Sequence, residues 1–220
     1  MAEREERITE ASHPVVRLEH ELRYRAAAPL VLGGDTWCDL GCGTGVSAAA
    51  AALGYGGRVV LVDRSVEALT EAAERVHGGD TVTVAADLET EEGLAAVAAA
   101  LGGTEDATVT CLGVLEQLDP FTPLVEFLAG LAGESRFTVA LSVPAALEEL
   151  LELLPPKRVV ARQLSLAGSW IVREPQELQL SVQPELEPRP TTFLVAFGPR
   201  ADALASPAEV RIAAPDRPQP

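Results

Sequence analysis

Apolar residues along the chain alternate between two spacings, and this alternation predicts the order of its elements. From His13 to Leu32 they recur at helical spacing, which predicts one helix before the first strand. Short apolar runs then alternate with helix-like segments. The predicted strands are Thr36–Leu40, Arg58–Val62, Thr81–Ala86, Ala107–Leu112 and Phe137–Val143. The predicted helices are Val46–Leu53, Ser65–His77, Glu91–Leu101, Phe121–Leu131 and Ala145–Leu154.

The strands are continuous apolar runs, which are typical of a parallel sheet covered by helices on both faces. Repeated β-α units with right-handed crossovers predict an α/β fold: a doubly wound, mostly parallel, seven-stranded sheet. After Pro155 the alternation ends, and Arg158–Leu166, Glu177–Val182 and Thr191–Phe197 resemble strands without a helix between them. We therefore expect antiparallel pairing at the C-terminal edge of the sheet.

The length of 220 residues favours one domain, which we expect over residues 13–199. Residues 1–12 are rich in charge and are expected to form a mobile tail. Residues 200–220 are rich in proline and alanine, and this composition predicts a largely disordered tail.

The charge and the cysteines limit the partners that we expect. The net charge is −16 and the basic residues show no cluster, which argues against nucleic acid or an anionic membrane surface. The three cysteines predict neither a disulfide framework nor a metal site. No apolar run approaches the length of a membrane-spanning helix. We expect a soluble, cytoplasmic protein with a small-molecule substrate, and both a monomer and a homodimer remain open.

A glycine turn follows the first strand. The segment Thr36–Gly45 reads TWCDLGCGTG, with glycines at the alternate positions Gly41, Gly43 and Gly45. Glycine can adopt a positive φ and lets a ligand approach the backbone, so such a turn before a helix predicts a nucleotide-like ligand. Asp39 directly precedes the turn. A carboxylate there disfavours a phosphate and favours an ammonium or sulfonium group.

In an open α/β sheet the ligand lies at the carboxyl ends of the strands. The second predicted strand ends in Asp63, eighteen residues after Gly45, where a carboxylate can accept both hydroxyls of a ribose. The third ends at Asp87–Leu88, and the fourth at Cys111–Leu112. Each signal alone is weak, but together, at the spacing of successive β-α units, they predict one binding site.

The segment Asp39–Gly45 resembles the first motif of class I S-adenosylmethionine-dependent methyltransferases, a family with a Rossmann-like fold. Asp63 and Asp87–Leu88 match the second and third motifs of that family, and Cys111–Leu118 resembles the fourth. The resemblance extends from about Leu18 to Pro144.

This resemblance implies S-adenosylmethionine as the cofactor. It places the glycine turn against the methionine portion and the ribose, Asp39 at the amino end, directly or through water, and Asp63 at the ribose hydroxyls. It also implies adenine contacts at Asp87–Leu88 and a sulfonium beside Cys111–Leu112. The cofactor-binding residues expected in this way are Asp39, Gly41, Cys42, Gly43, Gly45, Asp63, Arg64, Asp87, Leu88, Cys111 and Leu112. Ser47-Ala48 occupies the place of the third glycine of a dinucleotide fingerprint, which argues against NAD.

The residues expected on the substrate side of the site depart from the family pattern. Many relatives have Glu-His-Leu where this chain has Glu116-Gln117-Leu118, so the histidine that could act as a base there is missing. His20, which shares a helix face with Tyr24, is the best candidate for a catalytic base; the alternative is a surface histidine. Glu116 either orients the substrate or begins a helix. Tyr24 and Gln117 are the expected substrate contacts.

The leading hypothesis is a methyltransferase that acts on a small-molecule acceptor, such as a secondary metabolite or a sugar, by in-line methyl transfer. Because the sulfonium is already activated, positioning can supply most of the catalysis. One alternative is a protein of this fold that binds the cofactor or a partner without transfer. Another is a non-methylating enzyme on the same fold, of the cyclase or aminopropyltransferase type.

Overall fold

The computed structural model of the protein describes residues 9, 12–164 and 190–205. Its strands are β1 (Thr36–Leu40), β2 (Arg58–Asp63), β3 (Asp80–Ala85), β4 (Ala107–Cys111), β5 (Phe137–Pro144), β6 (Val159–Leu164) and β7 (Pro190–Phe197). Its α-helices are α1 (Pro14–Leu32), α2 (Ala49–Ala52), α3 (Val66–Arg75), α4 (Glu91–Ala100) and α5 (Thr122–Leu131). Short 3₁₀ helices cover Leu115–Gln117, Ala145–Leu153 and Ala201–Ala203.

The seven strands form one sheet in the order β3-β2-β1-β4-β5-β7-β6. Strands β1 to β5 pair in parallel, and β7 runs antiparallel to both β5 and β6. The predicted fold class, including the antiparallel C-terminal edge, is confirmed. The strand order reverses between β1 and β4, which is where open α/β sheets place their ligands.

The core has two layers because successive side chains of each buried strand point to opposite faces of the sheet. On β1, Cys38 and Leu40 pack with the helices α4 and α5, whereas Trp37 packs on the other face with α1 and α3. All five residues of β1 are buried. Helices therefore cover both faces, as predicted.

Two predicted helices differ from the structure. The segment predicted as Val46–Leu53 is helical only over Ala49–Ala52, because the preceding residues still belong to the turns that follow the glycines. The segment predicted as Ala145–Leu154 is a 3₁₀ helix with a kink at Leu147. Leu150 lies in the core, and Leu147 packs against it from the kink.

Other predictions fall on residues that are not described. The predicted strand Glu177–Val182, the end of Arg158–Leu166 and most of both predicted tails lie outside the described residues, so the domain boundaries stay predictions. Residues 200–205, which the sequence assigns to the C-terminal tail, are described: the N–H of Ala205 donates to the carbonyl of Ala26 at 2.9 Å. Within the described ranges, no helix combines the length and the apolar character needed to cross a membrane.

Candidate functional site

A cavity of about 340 Å³ lies at the carboxyl ends of β1, β2, β3 and β4. The glycine turn and the residues after β2 and β3 line one side of it. Helix α1 and the segment after β4 line the other side. The volume is at the lower end of the range for small-molecule sites.

The glycine turn shapes the floor of this cavity. Gly41, Gly43 and Gly45 all have positive φ angles, of 69°, 53° and 74°. A Cβ on Gly41 would lie 2.5 Å from Val114, whereas a Cβ on Gly43 would meet no atom within 4 Å. Gly41 therefore allows close packing of the turn, and Gly43 leaves open space in the cavity that ligand atoms can fill.

Asp63 links the turn to β2. Its Oδ2 accepts the N–H of Gly43 at 3.0 Å, and its Oδ1 accepts the N–H of Ser65 at 2.9 Å. A carboxylate has about four lone-pair sites, so each oxygen can still accept a hydroxyl. Because only 9% of Asp63 is exposed, a bond to a ligand there would face little competition from water.

Ser47, which the sequence analysis did not include among the site residues, also lines the cavity. Its buried hydroxyl has no hydrogen-bond partner in the described part of the chain. A buried polar group without a partner is costly, and a polar atom of a bound ligand would remove that cost. A serine two residues after the third glycine was the signal that could have identified it.

Asp39 lies behind the cavity wall rather than in it. It is fully buried; its carboxylate accepts the Tyr24 hydroxyl at 2.9 Å and the Thr110 hydroxyl at 2.5 Å. Thr110 in turn accepts the indole N–H of Trp37 at 2.8 Å. Tyr24 thus lines the cavity and bonds to Asp39 behind it. That Asp39 meets the amino end of the cofactor, directly or through water, stays a prediction.

The charge state of Asp39 depends on this enclosure. Burial raises the pKa of Asp39 to about 7, although the hydrogen bonds from Thr110 and Tyr24 oppose the rise. Burial and the neighbouring Asp39 raise the pKa of Tyr24 well above its usual range. The Tyr24 hydroxyl therefore stays protonated and donates a hydrogen bond to Asp39, and Tyr24 forms part of the cavity wall.

The structure brings most of the predicted residues together. The predicted cofactor residues in the cavity lining are Gly41, Cys42, Gly43, Asp63, Arg64, Asp87, Leu88 and Leu112. The predicted catalytic and substrate residues His20, Tyr24, Glu116 and Gln117 line it as well. Besides Asp39, two predicted residues lie behind the wall: Gly45 packs against Ala72 of α3, and Cys111 is in the core.

His20 packs edge-on against the segment after β4. A Cβ on Gly113 would lie 2.4 Å from the Cε1 of His20, so the imidazole occupies the space that this glycine leaves free. Burial, and then the charge of Arg23, lower the pKa of His20 to about 4. His20 is thus neither an exposed surface residue nor a base of ordinary strength, and it is uncharged at neutral pH.

Arg23 is the second residue that the sequence analysis did not identify. It is 6% exposed, and its guanidinium donates to Gln163 of β6 at 2.8 Å and to Thr192 of β7 at 3.2 Å. Its Nη1 lies 3.6 Å from the carboxylate of Glu116. Glu116 lies in the 3₁₀ helix Leu115–Gln117, and its carboxylate faces Arg23. Arg23 therefore connects α1 with the C-terminal edge of the sheet.

Among the described residues, no group of histidine, cysteine and acidic side chains has an arrangement that could hold a metal ion. Cys38, Cys42 and Cys111 are buried free thiols. Burial raises the pKa of each of these thiols above its usual range.

Comparisons with known proteins agree with this geometry. Residues 33–88 match the family model of a methyltransferase domain. No curated protein sequence matches the chain. The N-methyltransferase NodS from Bradyrhizobium japonicum has a similar fold, with a TM-score of 0.53 and 13% identity over 84% of this chain and 97% of that one. A SAM-dependent methyltransferase from Archaeoglobus fulgidus gives a TM-score of 0.53 at 15% identity, over 82% of this chain and 93% of that one.

A further structure of NodS, in complex with S-adenosylhomocysteine, has a TM-score of 0.52 at 13% identity and covers 85% of this chain and 88% of that one. These likenesses establish the fold, while the matched domain contains the glycine turn, Asp63 and Asp87–Leu88. Residues 33–88 thus match a methyltransferase domain, and the described chain has the fold of S-adenosylmethionine-dependent methyltransferases.

Proposed function

We propose that this protein transfers the methyl group of S-adenosylmethionine to a small-molecule acceptor by in-line displacement. One observation carries the proposal. The buried carboxylate of Asp63, held by the Gly43 and Ser65 amides, faces the same cavity as the cluster of His20 and Glu116. A cofactor subsite and an acceptor subsite thus share one enclosed space.

The cofactor subsite follows from the positions of its residues. Asp63 would accept the ribose hydroxyls, the open space at Gly43 would admit ligand atoms, and the Ser47 hydroxyl would bond to a polar atom of the cofactor. Asp87 and Leu88 would border the adenine. Cys42, Arg64 and Leu112 complete the wall. When bound, the cofactor supplies an activated methyl group on a sulfonium.

Charge in the cavity supports a positively charged ligand. Of the described residues that line it, Asp63, Asp87, Glu89 and Glu116 are acidic, and Arg64 is the one arginine or lysine. Opposite charges attract more strongly where water is scarce, so this lining favours a sulfonium over a phosphate. Asp39 adds negative charge behind Tyr24 when it is ionised.

The acceptor subsite lies between α1 and the segment after β4. Val16, His20, Tyr24, Gln117 and Leu118 form its wall. The same cavity contains these residues and those of the cofactor subsite. The protein aligns the two molecules and excludes water, and such alignment alone accelerates a displacement strongly.

Turnover tests this proposal. The protein is incubated with S-adenosylmethionine and representative amines, carboxylic acids, phenols and sugars, and the release of S-adenosylhomocysteine is measured. We expect release with one acceptor class, a strong decrease for Asp63→Asn and no change for the exposed control Asp202→Asn. If the cofactor binds but no acceptor causes release, the protein is a non-transferring binder or catalyses another reaction.

A further inference from the structure

His20 lies between a permanent cation and a glycine, and this position determines which ring nitrogen carries the proton. Its Nε2 is 3.5 Å from the Nη1 of Arg23. A guanidinium carries only donors and stays protonated, so a proton on Nε2 would point at another N–H. The single proton of the neutral imidazole is therefore on Nδ1.

The cation cannot move away from the ring, because several elements hold it. Gln163 of β6 and Thr192 of β7 accept hydrogen bonds from Arg23, and Glu116 lies 3.6 Å from it. Among the described residues, the charged group that contacts His20 is Arg23 on its own helix, and Glu116 on the segment after β4 contacts Arg23 in turn. The side chains from β6 and β7 that reach this cluster are neutral.

The other ring nitrogen, Nδ1, lies beside Gly113 at the cavity wall. The Nδ1 of His20 would lie 3.0 Å from a Cβ on Gly113, and both residues line the cavity. In the described part of the chain, no hydrogen-bond partner takes this nitrogen. His20 accordingly presents an N–H donor to the acceptor subsite, while its Nε2 faces Arg23 and is not available as a base.

The position of His20 and the carboxylates of the cavity together restrict the chemical class of the methyl acceptor. A nucleophile that must lose a proton before it attacks has no ordinary base near His20. A nucleophile that becomes positive during transfer is favoured by the acidic lining, including Glu116. An anionic nucleophile is disfavoured by the same charges.

We propose that His20 donates a hydrogen bond through its Nδ1–H to the methyl acceptor, and that Arg23 is the positioning residue. The methyl acceptor is an uncharged amine that also carries a hydroxyl or carbonyl oxygen. The oxygen accepts the bond from His20. The nitrogen lone pair forms the new N–C bond, the S–C bond breaks and its electron pair stays on sulfur. The methylated nitrogen is then positive and loses its proton to water. The acceptor class rests on the proposed function, whereas the tautomer does not.

Nitrogen NMR of histidine-labelled protein tests the tautomer without any turnover. The chain has three histidines, and the signals of His20 are those that disappear in His20→Asn. We expect a protonated Nδ1, an unprotonated Nε2 and no titration between about pH 5.5 and 8. Arg23→Gln should raise the pKa of His20, but burial, which is the larger cause, should keep that pKa below its ordinary value. A protonated Nε2, or titration of the unmodified protein near pH 6.5, would overturn the inference.

The kinetics of two variants test whether His20 acts as a hydrogen-bond donor or as a general base. His20→Asn keeps an amide N–H close to the place of Nδ1 but cannot act as a base, whereas His20→Ala has neither group. We expect kcat/KM to be at least tenfold lower in His20→Ala than in His20→Asn. If His20 were a general base, both variants would lose about 10²- to 10⁴-fold alike.

The acceptor class is tested with pairs of amines that differ in one hydroxyl group. We expect the hydroxylated amine to be the better acceptor, with the advantage lost in His20→Ala. Turnover of carboxylic acids or phenols in preference to amines would refute the acceptor class. If no acceptor reacts although the NMR signals are as expected, the proposed function fails and the tautomer assignment stands.

Discussion

The hydroxyl of Tyr24 donates to the Oδ2 of Asp39 at 2.9 Å, so the helix before the sheet is bonded to the strand that leads into the glycine turn. Tyr24 faces the cavity and Asp39 is fully buried behind it. One hydrogen bond therefore connects a residue of the cavity lining to a buried carboxylate of the sheet. The fold places this polar contact next to the point where the strand order reverses.

Removing the Tyr24 hydroxyl should destabilise the protein. In Tyr24→Phe the buried carboxylate of Asp39 keeps Thr110 but loses a donor, which costs about 1–3 kcal/mol. Urea denaturation at pH 8, where Asp39 is ionised, measures this loss. Tyr55→Phe is the matched control, because the Tyr55 hydroxyl makes only a long bond of 3.4 Å to the Arg58 carbonyl. Equal losses in the two variants would contradict the assigned role of Tyr24.

Asp39 should make stability depend on pH. Its pKa is raised to about 7 in the folded protein, so its contribution is fully present below the unfolded pKa and is lost as pH rises through 7. Asp39→Asn lacks this dependence. From pH 5 to pH 8 the stability of Asp39→Asn should therefore rise relative to the unmodified protein by roughly 2–3 kcal/mol. A difference in unfolding free energy that stays constant over this range would show that Asp39 is ionised throughout.

Gly43 and Gly54 form a matched pair that tests whether the glycine turn binds the cofactor. Both have positive φ angles, of 53° and 81°, and a Cβ on either would meet no atom within 4 Å. An alanine at each should cost a similar 1–2 kcal/mol of stability, because both strain the backbone alike. Only Gly43→Ala should weaken the binding of S-adenosylhomocysteine, since Gly43 lines the cavity and Gly54 does not. Equal affinities in calorimetry would place the cofactor elsewhere.

Local sequence patterns predicted that the glycine turn, Asp63 and Asp87–Leu88 lie together. The turn follows β1, Asp63 ends β2, and Asp87–Leu88 come shortly after β3, so successive strand-turn-helix units bring them to one edge of the sheet without information from distant residues. The burial of Asp39 could not be inferred in the same way. It depends on Tyr24, 15 residues earlier, and on Thr110, 71 residues later.

Sequence patterns could not predict the environment of His20 either, because it depends on residues that are distant along the chain. Arg23 bonds to Gln163 and Thr192, which are 140 and 169 residues away along the chain. No periodicity indicates that these strands lie against α1. The 3₁₀ winding of Ala145–Leu153 was likewise hidden, because its apolar spacing also fits an α-helix.

Calorimetric titration with S-adenosylmethionine tests the central claim most directly, because the cofactor site does not depend on knowing the acceptor. We expect one site per chain, with affinity at least tenfold weaker in Asp63→Asn and unchanged in Asp202→Asn, where the exposed Asp202 lies outside the cavity lining. Asp63→Asn keeps one oxygen for the amide of Gly43 or Ser65 and should still fold. Absence of binding by the unmodified protein, or equal affinity in all three proteins, would contradict the claim that this cavity holds the methyl donor.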